Sequence, residues 1–291
     1  MKRSIHLLAI DPQNDFCDLP ESWLPPDPLA AAAGARVRPQ LPVAGAHADM
    51  LRLAGLIGEG AAGLSDITIT LDSHAYVGIE RTTFWAGADG GAVAPFTTIT
   101  AAQVRRGEYR PRDATCTVRV LAYLDTLEAL GRDVLVVWPV HCQVGTWGHA
   151  VHAAVRAACN AWEVRRQAGV GHVIKGTNAY TEHYSPLRAE VTDPHDPSTA
   201  LNTALIGQLA RADVVLVAGE ASSHCVRRGV EDLAAHWPDG HLGRLVLVAD
   251  CMSPVGGFEA AAQAFLGDMR DRGLQVIDAV QATALLHENA H

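Results

Sequence analysis

The sequence predicts an α/β protein built on a single doubly wound, mostly parallel sheet with helices on both faces. Three observations predict it. Short β-branched apolar runs alternate with longer amphipathic stretches. Nearly all of the short runs are continuously apolar rather than alternating, as parallel strands covered on both faces require. The alternation runs the whole length, so one domain over residues 1–291 is expected rather than two.

Strands are expected at 5–10, 67–71, 133–137, 172–175, 214–218, 245–249 and 274–277. Between them, 46–57 places Met50, Leu53, Ala54 and Ile57 on one helical face. Residues 118–130, 150–165, 200–210, 226–235 and 259–269 read similarly. Two stretches do not fit: 19–42 is rich in Pro and Ala, and 86–113 is rich in Gly, Thr and Arg with no clear period. Both are expected to be irregular insertions acting as lids, binding walls or subunit contacts.

Composition narrows the function classes. The 291 residues carry 23 Lys+Arg against 32 Asp+Glu, a formal charge of −9, and 48% are hydrophobic. Low charge density of acidic sign argues against nucleic-acid and membrane partners, and no run approaches the ~20 apolar residues of a membrane span. The apolar start ends at Asp11 and is too short for a signal peptide. Six cysteines (17, 116, 142, 159, 225, 251) are scattered without a disulfide pattern, which points to reduced thiols in the cytoplasm. Of the 23 basic residues only Lys2 and Lys175 are lysines. An internal lysine in so arginine-rich a chain suggests a site that needs a compact ammonium, which a guanidinium cannot replace.

The chemistry gathers after the strands. The first run ends in Asp11, the second in Asp72-Ser73-His74, and the third enters Trp138-Pro139-Val140-His141-Cys142. The fourth ends at Lys175-Gly176, and the fifth meets a segment from Gly219 to Cys225 that opens a helix. In an open parallel sheet these ends share one edge, where ligands bind. At a helix N-terminus Cys225 is expected to have a lowered pKa and to be a nucleophile, although a buried structural cysteine is the commoner fate. Asp11 is expected to be a desolvated general base held ionised by Lys175; a turn-forming aspartate is the alternative. Cys142 is a rival nucleophile that reads better as structural, and His224 points away from the thiol beside it. Asp72, His74 and a distant His141 suit Zn²⁺ or another divalent ion, with Glu80 as a fourth or water-mediated ligand or a solvated glutamate. His149 and His152 read as surface residues.

These residues together resemble the isochorismatase-like cysteine hydrolases. The segment from Asp11 to Cys17 is similar to that family's opening motif. Asp72-Ser-His74, the segment from Trp138 to Thr146, Lys175-Gly176 and the segment from Gly219 to Cys225 follow in order, over roughly residues 4–255. The metal motif and W-P-x-H-C resemble the nicotinamidase branch. The resemblance implies a Rossmann-type three-layer fold and an Asp11–Lys175–Cys225 triad acting through a thioester. It implies an oxyanion hole from the N–H groups of Ala221 and Cys225, with a cis peptide between Glu220 and Ala221. It implies one divalent ion, zinc first and otherwise iron or manganese, on Asp72, His74 and His141. Phe16 and Trp138 would pack against the substrate ring.

The implied activity is hydrolysis of a small amide, nicotinamide to nicotinate and ammonia in NAD salvage, by a homo-oligomer. The alternatives are an amidase for another carboxamide or carbamoyl compound, or a silent binding protein of the same fold. Glu80 stands where many bacterial nicotinamidases have histidine, and Glu220 puts a carboxylate where an apolar residue is common.

Overall fold

A computed structural model describes residues 2–290; Met1 and His291, the ends of the expected domain, lie outside the described residues. In chain order the elements are β1 (Ile5–Ile10), α1 (Ala46–Gly60), β2 (Asp66–Asp72), β3 (Trp85–Gly87), β4 (Thr97–Ile99) and α2 (Ala101–Arg105). There follow β5 (Tyr109–Pro111), α3 (Thr117–Leu130), β6 (Leu135–Val137), α4 (Ala153–Arg166), β7 (Gly171–Lys175) and α5 (Thr203–Leu209). The last are β8 (Val214–Gly219), α6 (Cys225–His236), β9 (Leu245–Val248), α7 (Glu259–Asp271), β10 (Gln275–Ile277) and α8 (Ala279–Asn289).

Six parallel strands form the main sheet in the order β10-β9-β8-β1-β2-β7. The chain leaves β1 towards β2 and β7, then crosses back to β8 and runs the other way to β9 and β10. Right-handed crossovers in opposite directions place their helices on opposite faces. β1 and β8 are buried along their whole length, which explains their unbroken apolar runs. Helices α4 and α8 pack against α1. The order reverses between β1 and β8, the crevice where open α/β sheets take ligands. The two strands approach closely there. A Cβ on Gly219, at φ 120°, would lie 1.9 Å from the Ile10 carbonyl oxygen, so only glycine fits.

The structure corrects three expectations. The run at 133–137 forms β6, but β6 pairs antiparallel with β4 in a separate ribbon and is not a strand of the main sheet. Its three residues are apolar because β6 lies between two cores: Val136 packs on the main one, and Leu135 and Val137 on a second that includes Trp85, Ile99, Val120, Leu124 and Leu127. The stretch 86–113 is not irregular: it carries β4, α2 and β5, with a capping box from Thr100 and Gln103 on α2. The helix α8 was not expected, although Asp278 and Gln281 form a capping box at its start. The stretch 19–42 stays largely irregular, with a short 3-10 turn at Glu21–Trp23. All six cysteines are free thiols, and no helix among the described residues is long and apolar enough to cross a membrane.

Candidate active site

Asp11 follows β1 in the left-handed region, at φ 46°, which aspartate tolerates better than most residues. Its N–H donates to the Thr70 carbonyl at 3.2 Å, and the Thr70 hydroxyl donates to Asp11 Oδ1 at 2.6 Å. Both contacts come from β2, the paired strand, so the carboxylate is fixed by the sheet register. Lys175 ends β7 and is 2% exposed. Its Nζ lies 2.9 Å from Asp11 Oδ2 and 2.8 Å from Asp72 Oδ1, 3.0 Å from the His183 carbonyl and 3.6 Å from Cys225 Sγ. One ammonium thus joins the ends of β1, β2 and α6. Asp11 Oδ2 has no aligned hydrogen bond among the described residues, so it keeps a lone pair for a further proton.

The electrostatics differ in part from expectation. Burial raises the Asp11 pKa, and Lys175 only partly offsets this. The Cys225 thiol is not depressed by its helix. Burial pushes it well up, Lys175 opposes this, and the Asp11 and Asp72 carboxylates add to the rise. Two nearby anions and desolvation outweigh the helix terminus. The thiol therefore rests neutral.

Beside Asp11, Lys175 and Cys225, side-chain N and O atoms of Asp72, His74 and His141 all lie within 4.8 Å of one another, and these last three residues are buried. Asp72 Oδ2 is 2.7 Å from His74 Nε2 and 3.4 Å from His141 Nε2. His141 Nδ1 lies 2.9 Å from the Pro139 carbonyl and 2.7 Å from Arg81 Nη1, and Nε2 faces the cluster. Burial, helped by Arg81, brings the His141 pKa down to about 4, the neutral state a ligand needs. Burial disfavours charge on His74 too, but Asp72 and then Glu80 overcome it and hold its pKa at about 9. Neither ring nitrogen of His74 has an aligned hydrogen bond among the described residues. Buried donors of this kind, short of partners and flanked by carboxylates, fit a divalent cation.

Glu80 stands outside this group. Its Oε1 is 3.2 Å from His74 Nδ1 and 3.0 Å from Arg81 Nε, behind the imidazole. Gly176 lets the chain pass close: a Cβ there, at φ 79°, would sit 2.6 Å from His74 Cε1.

Both clusters border one small cavity. Asp72, His141, Ala221 and Cys225 line it with Phe16 and Trp138. The Glu220–Ala221 peptide is cis. Leu41, Glu182, Tyr184 and Val255 complete the wall together with His224. Trp138 Nε1–H donates to Glu182 Oε2 and Tyr184 Oη, both at 3.1 Å, which fixes the indole plane. Burial, then Glu80, raises the Glu182 pKa to about 8.

Several candidates fall elsewhere. Cys142 is buried off the cavity, and its N–H donates to Asp15 at 2.6 Å. His224 lines the cavity but is a poor base, pushed down to about 3 by burial and then by Arg227 and Arg228. His149 bonds Ser73 Oγ at 2.8 Å. His152 is not a surface residue: it is buried 3.0 Å from His47 Nδ1, beneath Trp23. Sequence reasoning missed Glu182 and Tyr184. Their one signal was position, a few residues beyond the Lys175 strand end on the same sheet edge.

No protein-family model matches the chain, and no curated protein matches it in sequence. Solved structures do. A yeast nicotinamidase superposes with a TM-score of 0.60 at 19% identity, covering 94% of this chain and 99% of its own. An Acinetobacter baumannii nicotinamidase/pyrazinamidase gives 0.59 at 18%, covering 96% and 98%. A pyrazinamidase of Pyrococcus horikoshii in complex with zinc gives 0.50 at 15%, covering 94% and 99%. At these identities the likeness establishes architecture: the chain has the isochorismatase-like α/β fold that these nicotinamidases and pyrazinamidases share.

Proposed function

We propose that the chain is a cysteine amide hydrolase that converts a small carboxamide, nicotinamide foremost, to the carboxylic acid and ammonia. One observation carries the reading. Lys175 Nζ stands between Asp11 at 2.9 Å and Cys225 Sγ at 3.6 Å, beside the cavity that the Asp72, His74 and His141 group also borders. The nicotinamidase and pyrazinamidase neighbours, one of them in complex with zinc, support the same class.

In this reading Asp11 accepts the thiol proton as Cys225 Sγ forms a bond to the carboxamide carbon. The carbonyl π pair moves to oxygen, where the N–H groups of Ala221 and Cys225 receive it. Collapse breaks the C–N bond, and the nitrogen takes the proton from Asp11 and leaves as ammonia. Water then attacks the thioester carbon and gives a proton to Asp11. The acid departs, and the proton returns to Cys225. Lys175 keeps Asp11 oriented and offsets negative charge throughout. A divalent ion held by Asp72, His74 and His141 would supply a Lewis-acid contact for a ring nitrogen and for ordered water. Phe16 and Trp138 would flank the ring.

A second reading has one observation in its favour. The Glu182 carboxyl lines the cavity, which suits an amide that carries a further hydrogen-bond donor of its own. Ammonia release from a panel of aromatic and aliphatic carboxamides tests both. The first reading requires turnover of nicotinamide that Cys225→Ala abolishes; the absence of ammonia from every amide would end both.

A further inference from the structure

Glu220 is fully buried, yet it does not line the cavity. It sits in the turn that carries the Ala221 N–H, and its side chain runs the other way, towards α1. Ser253 clamps this turn from both sides: its N–H donates to Glu220 Oε2 at 3.2 Å, and its carbonyl accepts the Ser222 N–H at 2.9 Å. The Ser253 hydroxyl in turn donates to Asp49 Oδ2 at 2.5 Å, and Asp49 belongs to α1. The Glu220 N–H donates to the Ile10 carbonyl at 2.8 Å, one residue before Asp11.

We propose that Glu220 is a positioning residue for the oxyanion site, tying the 219–222 turn to α1 through Ser253 and Asp49. The inference rests on the amide-hydrolase reading for its catalytic consequence, although the tether itself does not.

A proton on Glu220 completes the tether. As a carboxylate it leaves Oε1 with no donor among the described residues, a costly state for a buried charge. Asp49 lies against it and is ion-paired with Arg52, so Asp49 is the anion of the pair. A hydrogen on Glu220 then has a carboxylate to bond to, while Oε2 still accepts from Ser253. Burial, and next the Asp49 charge, push the Glu220 pKa well up, in the same direction. An aliphatic residue here would fill the space without holding Ser253. An amide would reproduce both bonds, donating to Asp49 and accepting from Ser253.

The test compares Glu220→Leu, Glu220→Gln and wild type by steady-state ammonia release and by amide hydrogen exchange of the 219–222 segment. Glu220→Leu should lower kcat about tenfold to a hundredfold, with KM within about threefold, because a misplaced donor weakens the transition state more than ground-state binding. Exchange in the turn should quicken about tenfold. Glu220→Gln should stay within about threefold of wild type in both. Ser253→Ala, which removes only the hydroxyl link to Asp49, keeps the test alive if the leucine variant does not fold; it should quicken exchange severalfold. Leucine or alanine variants with wild-type exchange would overturn the tether, as would a glutamine variant as impaired as leucine. A wild-type chain that releases no ammonia sinks the hydrolase reading alone, since the exchange comparison still decides the tether.

Discussion

Two buried ionic clusters in this molecule look alike and differ in what they enclose. The first joins Asp11, Lys175 and Asp72 at the sheet edge. The second lies where the α3–β6 turn, the loop after β7 and α6 meet. There Arg228 pairs with Asp133, and Arg132 with Asp232 at 3.1 Å. Glu190 lies 4.0 Å from both arginines. Both clusters hold carboxyls with raised pKa values: Asp11 in one, and in the other Glu190, lifted to about 7 by burial. Only the first has a thiol 3.6 Å from its cation; the second borders a wide, open cleft lined by Arg132, Arg188, Arg228 and Asp232. The second opens to solvent through Arg188, 34% exposed, and its cations are all guanidinium groups. A perturbed carboxyl therefore does not mark a site by itself. The cation type separates the two: a chain that uses arginine for 21 of 23 basic residues places its one internal lysine beside the thiol.

The largest effect expected is on turnover. Cys225→Ala should lower kcat by more than about 10³-fold, with thermal stability almost unchanged. Lys175→Met should abolish activity and also destabilise the fold by about 3–5 kcal/mol in urea titration, because Asp11 and Asp72 lose their buried counter-ion. Arg228→Met makes the complementary cut. It should lower stability by about 3 kcal/mol while kcat/KM of the folded fraction stays within about threefold. A larger loss of activity would show that the second cluster acts on the first.

Glu190 sharpens the contrast through pH. Its folded-state pKa of about 7 exceeds its ordinary 4.5, so the folded chain holds this proton more tightly than the unfolded one. Its contribution to stability is full below pH 4.5 and is lost as pH rises through 7. Glu190→Gln should remove about 2 kcal/mol of the fall in stability between pH 5 and pH 8, measured by denaturant midpoints, without moving the pH profile of turnover. The smallest effect concerns the metal group. Chelation should raise KM for nicotinamide about tenfold more than it lowers kcat, about 1.4 kcal/mol of ring binding, and leave the second cluster's contribution to stability untouched.

Much of this was legible in the chain. β1 and β8 read correctly because burial on both faces demands unbroken apolar runs, and the side chains beyond them follow from parallel topology alone. Residues 134–137 are as apolar because β6 lies between the main core and a second one, and hydrophobicity does not say which sheet a strand joins. His141 still reaches the site, because a bridge pairs His74 with Gln143 and brings the loop after β6 alongside β2. Glu80 was readable as a carboxylate near the metal group, but its place behind His74 depends on Arg81. The raised thiol pKa was hidden because it comes from burial and then from Asp11 and Asp72, which only the folded sheet brings near.

Rapid quench of the chain with nicotinamide, followed by peptide mass spectrometry, tests the central claim most directly. A nicotinoyl thioester on the peptide containing Cys225, formed as fast as ammonia appears and absent after Cys225→Ala, is the predicted result. Ammonia release at an undiminished rate from Cys225→Ala, with no acyl group on the protein, would contradict it.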